Sequence, residues 1–208
     1  MKRSDTRVYV VEDDPSMRNA LKNLLKSVDI HAELFDSAEE FLRKHLPELP
    51  SCLIIDVGLP GLSGLDLQKR LSSANTQIPI IFITAHGDIP MSVRAMKGGA
   101  VEFLTKPFRD QDLLDAIQIS LNRDRIRRQE QTEMEELHKR LETLTSRERE
   151  LLPWIISGRP NKEIAAEIGT SEITVKVHRG NLMRKMQARS FADLVRMAAS
   201  LKIPYTKV

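Results

Sequence analysis

The chain has 208 residues, 41% hydrophobic and 29% charged, with 32 Lys/Arg against 29 Asp/Glu. That length supports one large domain or two small ones with cores of their own, and the composition excludes a disordered or low-complexity chain. No apolar run approaches the roughly 20 residues of a membrane-spanning helix, and the polar start MKRSDTR has no signal-peptide apolar stretch, so the chain is expected in the cytoplasm, away from membranes.

Residues 7–12 (RVYVVE) read as a strand, and 15–28 as a helix with apolar residues at Met17, Ala20, Leu21, Leu24, Leu25 and Val28. A short strand at 31–35 precedes a helix at 37–46, opened by the capping pair Ser37 and Glu40. CLIIDV (52–57) is apolar almost throughout, as expected of a strand covered on both faces of a parallel sheet, and its Cys52, the lone cysteine, is expected as a core residue in a reducing compartment. A helix at 64–73, a strand at 79–84 and a helix at 89–99 follow, the last with Asp88 as cap and Pro90 in its first turn. A strand at 101–108 and a helix at 110–121 complete five βα units, which predict an α/β doubly wound, five-stranded parallel sheet.

Residues 122–141 contain neither Gly nor Pro and extend the helical pattern into a highly charged linker. Met134, Leu137, Leu141 and Leu144 fall at 3-4-3 spacing, which fits either a short dimerising seam or a solvated spacer with apolar anchors. Residues 142–208 are expected to form an all-α domain of about four helices. Charge is divided along the chain. Residues 1–123 hold 15 Lys/Arg against 17 Asp/Glu, residues 124–144 hold 5 against 6, and residues 145–208 hold 12 against 6. The basic tail points to a polyanionic partner.

Ligands of open α/β sheets bind beyond the carboxyl ends of the strands. Those ends carry Glu12 and Asp13 after the first strand, Asp56 on the third, Thr84 on the fourth and Lys106 on the fifth. Carboxylates gathered in this way repel unless a cation joins them, and a few oxygen ligands with room for water and phosphate suit Mg2+. Each residue alone has an ordinary explanation: acids at a helix start, a strand-end threonine, a surface lysine. Their joint placement instead describes a phosphoryl site in which a carboxylate can itself be the nucleophile.

VVEDD (10–14), IIDVGLPGLSG (54–64), ITAHGD (83–88) and FLTKPF (103–108) resemble, in order, the receiver domain of two-component response regulators, over residues 7–121. The resemblance implies a flavodoxin-like fold in which Asp56 accepts phosphate from a sensor histidine kinase. It implies Mg2+ held by Asp13, Asp56 and the carbonyl of Gly58, with Glu12 acting through water. Lys106 would contact the phosphate, Thr84 and Phe103 would form a switch pair, and the Lys106–Pro107 bond would be cis. No catalytic residue beyond the phosphoacceptor is implied, so a regulator is expected rather than an enzyme. Glu12 stands where many receivers have Asp, and Gly58 carries no side chain. A rival is a phosphohydrolase of the haloacid-dehalogenase type, which also uses Asp, Lys and Mg2+. It requires a second Asp two residues after the nucleophile, where this chain has Gly58.

In the tail, Thr145 or Ser146 caps the pattern SRERELLPWIIS, with Pro153 predicting a kink. NKEIAAEIG (161–169) reads as a short helix closed by Gly169, and Ser171 caps a longer helix through Met186. Helix, glycine-containing turn and basic helix form a helix-turn-helix pattern over about 161–180, with a recognition helix over about 171–186. Val175, His178, Leu182 and Met186 share the side expected to face the core, while Lys176, Val177, Gly180 and Arg184 lie opposite, with Arg179 at the edge. An exposed valine beside lysine suits a major groove, where it can meet a thymine methyl. With LTSRERE and the closing LVRMA, this block resembles the LuxR-type helix-turn-helix, and the whole chain resembles the FixJ-like branch of the FixJ/NarL response regulators. That implies promoter DNA contacted by Thr174, Lys176, Val177, Arg179, Gly180 and Arg184, with RNA polymerase as a further partner. It also implies a homodimer formed on phosphorylation through a face at about residues 89–105. A phosphorylation-independent DNA-binding scaffold, or an RNA-binding output, fits the complete Asp/Thr/Lys set and the groove-shaped helix less well.

Overall fold

The computed structural model describes residues 6–205. The chain divides into two compact units, Met1–Arg128 and Gln129–Val208. In the first, β1 (Arg7–Val11), α1 (Pro15–Ser27), β2 (Ala32–Phe35), α2 (Ala38–Leu42), β3 (Ser51–Asp56), α3 (Gly64–Ser73), β4 (Ile80–Thr84), α4 (Ile89–Lys97) and β5 (Glu102–Thr105) alternate, and α5 (Asp110–Glu142) follows. The five strands form a parallel sheet in the order β2-β1-β3-β4-β5. Strand order reverses between β1 and β3, the switch point at which doubly wound sheets bind ligands.

Side chains alternate across the strands and so divide the core in two. Tyr9, Val11, Leu53, Ile55 and Phe82 pack with Phe41 of α2, Leu67 and Leu71 of α3 and Ala95 of α4. Val8, Val10, Cys52, Ile54, Ile81 and Ile83 pack with Leu21 and Leu25 of α1 and Leu113 and Ile117 of α5. Cys52 is fully buried, and burial pushes its thiol well above the ordinary range.

One element differs from expectation. α2 ends at Leu42, not at residue 46. Leu46 precedes Pro47, which disfavours helical backbone there, and Lys44 turns to Glu33 of β2 at 2.5 Å. The first compact unit extends to Arg128, and Asp124 of α5 is fully buried within it. Its carboxylate accepts from the Ser51 N–H at 2.9 Å, from Arg128 Nε at 2.7 Å and from Arg127 Nη2 at 2.6 Å, tying α5 to the first residue of β3. Of the four residues at 3-4-3 spacing, Met134 is half-buried and the three leucines act as apolar anchors. Leu137 and Leu144 are buried in the core of the second compact unit and Leu141 packs against it.

The second unit adds α6 (Ser146–Ile156), α7 (Asn161–Glu167), α8 (Glu172–Met186) and α9 (Phe191–Ser200). Leu151, Leu152 and Ile155 of α6, Ile164 of α7, Val175, Leu182 and Met186 of α8 and Leu194 of α9 form its core. α6 continues through Pro153 for a further three residues. Thr145 is the N-cap of α6 in a complete capping box with Glu148. Glu148 is 2% exposed and also accepts from Lys185 Nζ of α8 at 2.6 Å. Burial opposes its charge, but the hydrogen bonds from Lys185 and Thr145 outweigh that and hold the carboxyl below its ordinary value. A depressed carboxyl contributes stability that is present above its unfolded value and lost as pH falls through the folded one. Glu148→Gln should therefore cost about 2 kcal/mol at neutral pH. In denaturant titrations the gap to wild type should hold down to the ordinary value of 4.5 and close below it; a gap that does not vary with pH would contradict this.

Candidate functional site

Strand register assembles the first site. Val11 lies opposite Ile55, so Glu12 and Asp56 leave adjacent strands side by side; Asp56 lies opposite Ile83, and Thr84 opposite Thr105, which places Lys106 one residue beyond. Lys106 Nζ donates to Asp56 Oδ2 at 2.6 Å and to Glu12 Oε2 at 2.7 Å. The Gly58 N–H donates to Asp56 Oδ1 at 2.8 Å. Both carboxylates are buried, at 1% exposure for Glu12 and 8% for Asp56, whereas Asp13 is exposed. Burial drives the Glu12 carboxyl up, with the Lys106 ammonium opposing. Burial also disfavours the charge on Lys106, but hydrogen bonds to Asp56 and Glu12 outweigh it and raise the ammonium above its ordinary value. The Lys106–Pro107 bond is cis.

Glu12, Asp13 and Asp56 offer carboxylate oxygens that all lie within 4.8 Å of one another. Three carboxylates around one ammonium leave a net negative charge that a hard divalent cation would neutralise, and all three donors are oxygens, so the residues fit Mg2+. Gly64 packs directly against the backbone of Asp56. A Cβ there would overlap the backbone carbonyl oxygen of Asp56 and approach Ile55 Cγ2 to 2.8 Å, so only glycine lets the chain turn this closely beneath Asp56. The motif spacing contains Gly64 without disclosing that contact.

Thr84 is buried, and its hydroxyl is engaged within its own loop: it accepts from the His86 N–H at 3.2 Å and lies 3.4 Å from the His86 carbonyl. Phe103 is half-buried, its ring 6.3 Å from that of Phe82. These two residues flank the acidic cluster without joining it.

In the second unit, α8 presents Lys176, Val177, Gly180 and Arg184 to solvent, Val177 at 55% exposure. Val175, Leu182 and Met186 are fully buried opposite, with His178 half-buried. Thr174 is half-buried, its hydroxyl 2.8 Å from Ser171 Oγ. Arg179 lies on the flank, 3.4 Å from Asn161 Oδ1 and over the Phe191 ring at 5.4 Å, which ties α8 to α7 and α9. Ile173, one turn before Val177, is 77% exposed and extends the same apolar stripe. The four-residue spacing of Ile173 and Val177 is visible in the sequence itself.

Residues 8–118 match the response regulator receiver domain, and residues 142–198 match the bacterial regulatory proteins of the luxR family. Nodulation protein W of Bradyrhizobium diazoefficiens is 56% identical over 196 residues, covering 94% of this chain and 86% of that protein. The solved response regulator StyR is 48% identical with a TM-score of 0.87, covering 94% of this chain and 99% of its own. Full-length FixJ from B. japonicum is 38% identical with a TM-score of 0.57, covering 95% of this chain and 97% of its own.

Proposed function

The chain belongs to the two-component response regulators that join a receiver domain to a LuxR-type DNA-binding domain, and from that premise we propose that Asp56 is its phosphoacceptor and that phosphorylation promotes dimerisation and promoter binding. The observation that carries this reading is the joint held by one lysine: Asp56 and Glu12, from adjacent strand ends, share the Lys106 ammonium. In the reaction, an Asp56 carboxylate oxygen attacks the phosphorus of a phosphohistidine on a sensor kinase. The P–N bond breaks and the histidine nitrogen leaves with the electron pair. Asp13, Asp56 and the Gly58 carbonyl, with Glu12 acting through water, would hold Mg2+, which would supply positive charge to the phosphoryl oxygens. Lys106 exchanges part of its pairing with Asp56 for the new phosphoryl oxygens. Thr84 then turns its hydroxyl out of the 84–86 loop toward them and Phe103 follows, which shifts a two-state equilibrium.

The dimer face is α4 with β5. Ile89, Val93 and Met96 follow one another at helical spacing and are 80%, 44% and 45% exposed, more apolar surface than a solvated helix needs. Lys176, Val177, Gly180 and Arg184, with Thr174 and Arg179 at the edges, meet promoter DNA. The protein works in the cytoplasm, where RNA polymerase is its further partner, and turns over no substrate of its own. No described helix is long and apolar enough to cross a membrane.

Sedimentation with and without beryllofluoride tests the proposal. Monomer without it and dimer with it is the expected result, with tighter DNA binding in the second state. A dimer of unchanged size in both conditions would reject phosphate-driven dimerisation. At the DNA face, Val177→Ala should weaken binding to a preferred operator by about 1 kcal/mol through loss of a thymine-methyl contact. Equal weakening on unrelated DNA would make Val177 a folding residue instead.

A further inference from the structure

The exposed stripe of α8 does not stop at Arg184. Lys176, Gly180 and Arg184 follow at four-residue spacing, and Gln187, the C-cap of α8 with φ of 56°, continues the line. Gln187 lines a cavity of about 480 Å³ whose other walls are Arg140, Arg189, Ser190, Asp193, Arg196 and Met197. Three arginines thus line one basin at the end of the helix read above as the DNA-reading element.

The acids nearby are already committed. Asp193 accepts the Arg189 backbone N–H at 3.0 Å and Arg196 Nη2 at 3.1 Å. The Arg189 hydrogen bond, aided by Arg196, holds its carboxyl below the ordinary range, so it stays charged and occupied. Among the described residues, the Arg140 guanidinium has only a 3.6 Å approach to Glu136. The Arg189 guanidinium makes no hydrogen bond or ion pair among the described residues and is exposed, as is Arg196 at 74% of its side chain. Planar guanidiniums that keep donors free in this way suit bidentate capture of phosphate oxygens.

We propose that the basin walled by Arg140, Arg189 and Arg196 holds a backbone phosphate of the DNA whose bases meet α8. The proposal rests on the reading of α8 as the DNA-contacting helix and adds a contact outside it that carries no sequence information. A phosphate held at the C-terminal end of α8 sets how far the helix runs along the groove, so it fixes register while Lys176 and Val177 discriminate bases.

The test is the salt dependence of binding by the full-length, beryllofluoride-activated protein to a mixed-sequence DNA duplex. Each phosphate contact contributes about 0.9 to the slope of log K against log salt. Arg189→Ala should remove part of one phosphate's share of that slope, and adding Arg196→Ala should bring the total loss to about 0.9. Arg189→Lys should restore most of it, since a point charge still holds a phosphate. Because both side chains are exposed, thermal melting should be unchanged, and this separates lost contact from lost fold. A wild-type slope in both alanine variants, alongside weakened binding by Lys176→Ala, overturns the phosphate site and leaves the reading of α8 standing. Indifference of binding to Lys176→Ala as well overturns that reading. A wild-type slope with reduced transcription in vitro would assign the basin to an acidic protein surface, which also overturns the proposal.

Discussion

Asp56→Asn is expected to abolish phosphoryl uptake. Incubated with acetyl phosphate and Mg2+, the wild type should gain one phosphoryl group by mass and the variant none, and DNA binding by the variant should ignore the donor. The substitution is nearly isosteric, so its effect isolates the chemistry. An asparagine oxygen can still accept the Gly58 N–H that Asp56 Oδ1 accepts at 2.8 Å, which preserves the β3–α3 turn. It loses the negative charge that faces Lys106 at 2.6 Å, and Lys106 keeps Glu12 at 2.7 Å. The amide has no carboxylate oxygen to attack phosphorus. Asp13 is a carboxylate close by, but it is exposed and no lysine pairs with it among the described residues, so it does not substitute. Equal labelling of wild type and variant would move the acceptor elsewhere.

Asp124→Ala should produce the largest loss of stability, about 3–5 kcal/mol, the usual cost of removing one partner from a buried ion pair. The side chain is fully buried and satisfies four donors at once: the Ser51 N–H, two nitrogens of Arg127 and Nε of Arg128. Without it, the Ser51 N–H is orphaned at the start of β3, and two guanidiniums that were drawn together repel. Urea titration of the first unit's transition would read the effect. A change below about 1 kcal/mol would mean that water replaces the carboxylate at no penalty, contrary to the cost of leaving buried donors unmade. Because β3 ends in Asp56, the same variant should also slow phosphorylation, although Asp124 sits at the opposite end of the strand.

The acidic site was legible in the linear chain for a simple reason. Strands of a parallel sheet end at one rim, so residues that terminate different strands become neighbours whatever the loops do. Glu12, Asp56 and Lys106 needed only the strand ends to be brought together. The helix-turn-helix was legible because Thr145, Gly169 and Ser171 mark helix boundaries by local hydrogen bonding and left-handed backbone, effects that act within a few residues. The rival phosphohydrolase reading failed at Gly58, a single position, and needed no structure.

What the chain by itself determined is therefore the set of strand ends and helix caps, and with them the acidic cluster around Asp56 and the basic face of α8. The tertiary structure alone decided which charged residues in the supposed linker are structural. Asp124 resembles its solvated neighbours in spacing and charge, yet its partner Ser51 lies 73 positions away. Likewise, 3-4-3 leucine spacing fits a partner helix in another chain and a core in the same one, and only the packing of Leu137, Leu141 and Leu144 against the second unit chose between them. The same holds for Arg179 over Phe191, and for the three arginines gathered around the end of α8 from α5, the α8–α9 turn and α9. Period and capping are local and repeat along the chain. Burial and charge pairing depend on which distant segment arrives, and that becomes known only when the chain has folded.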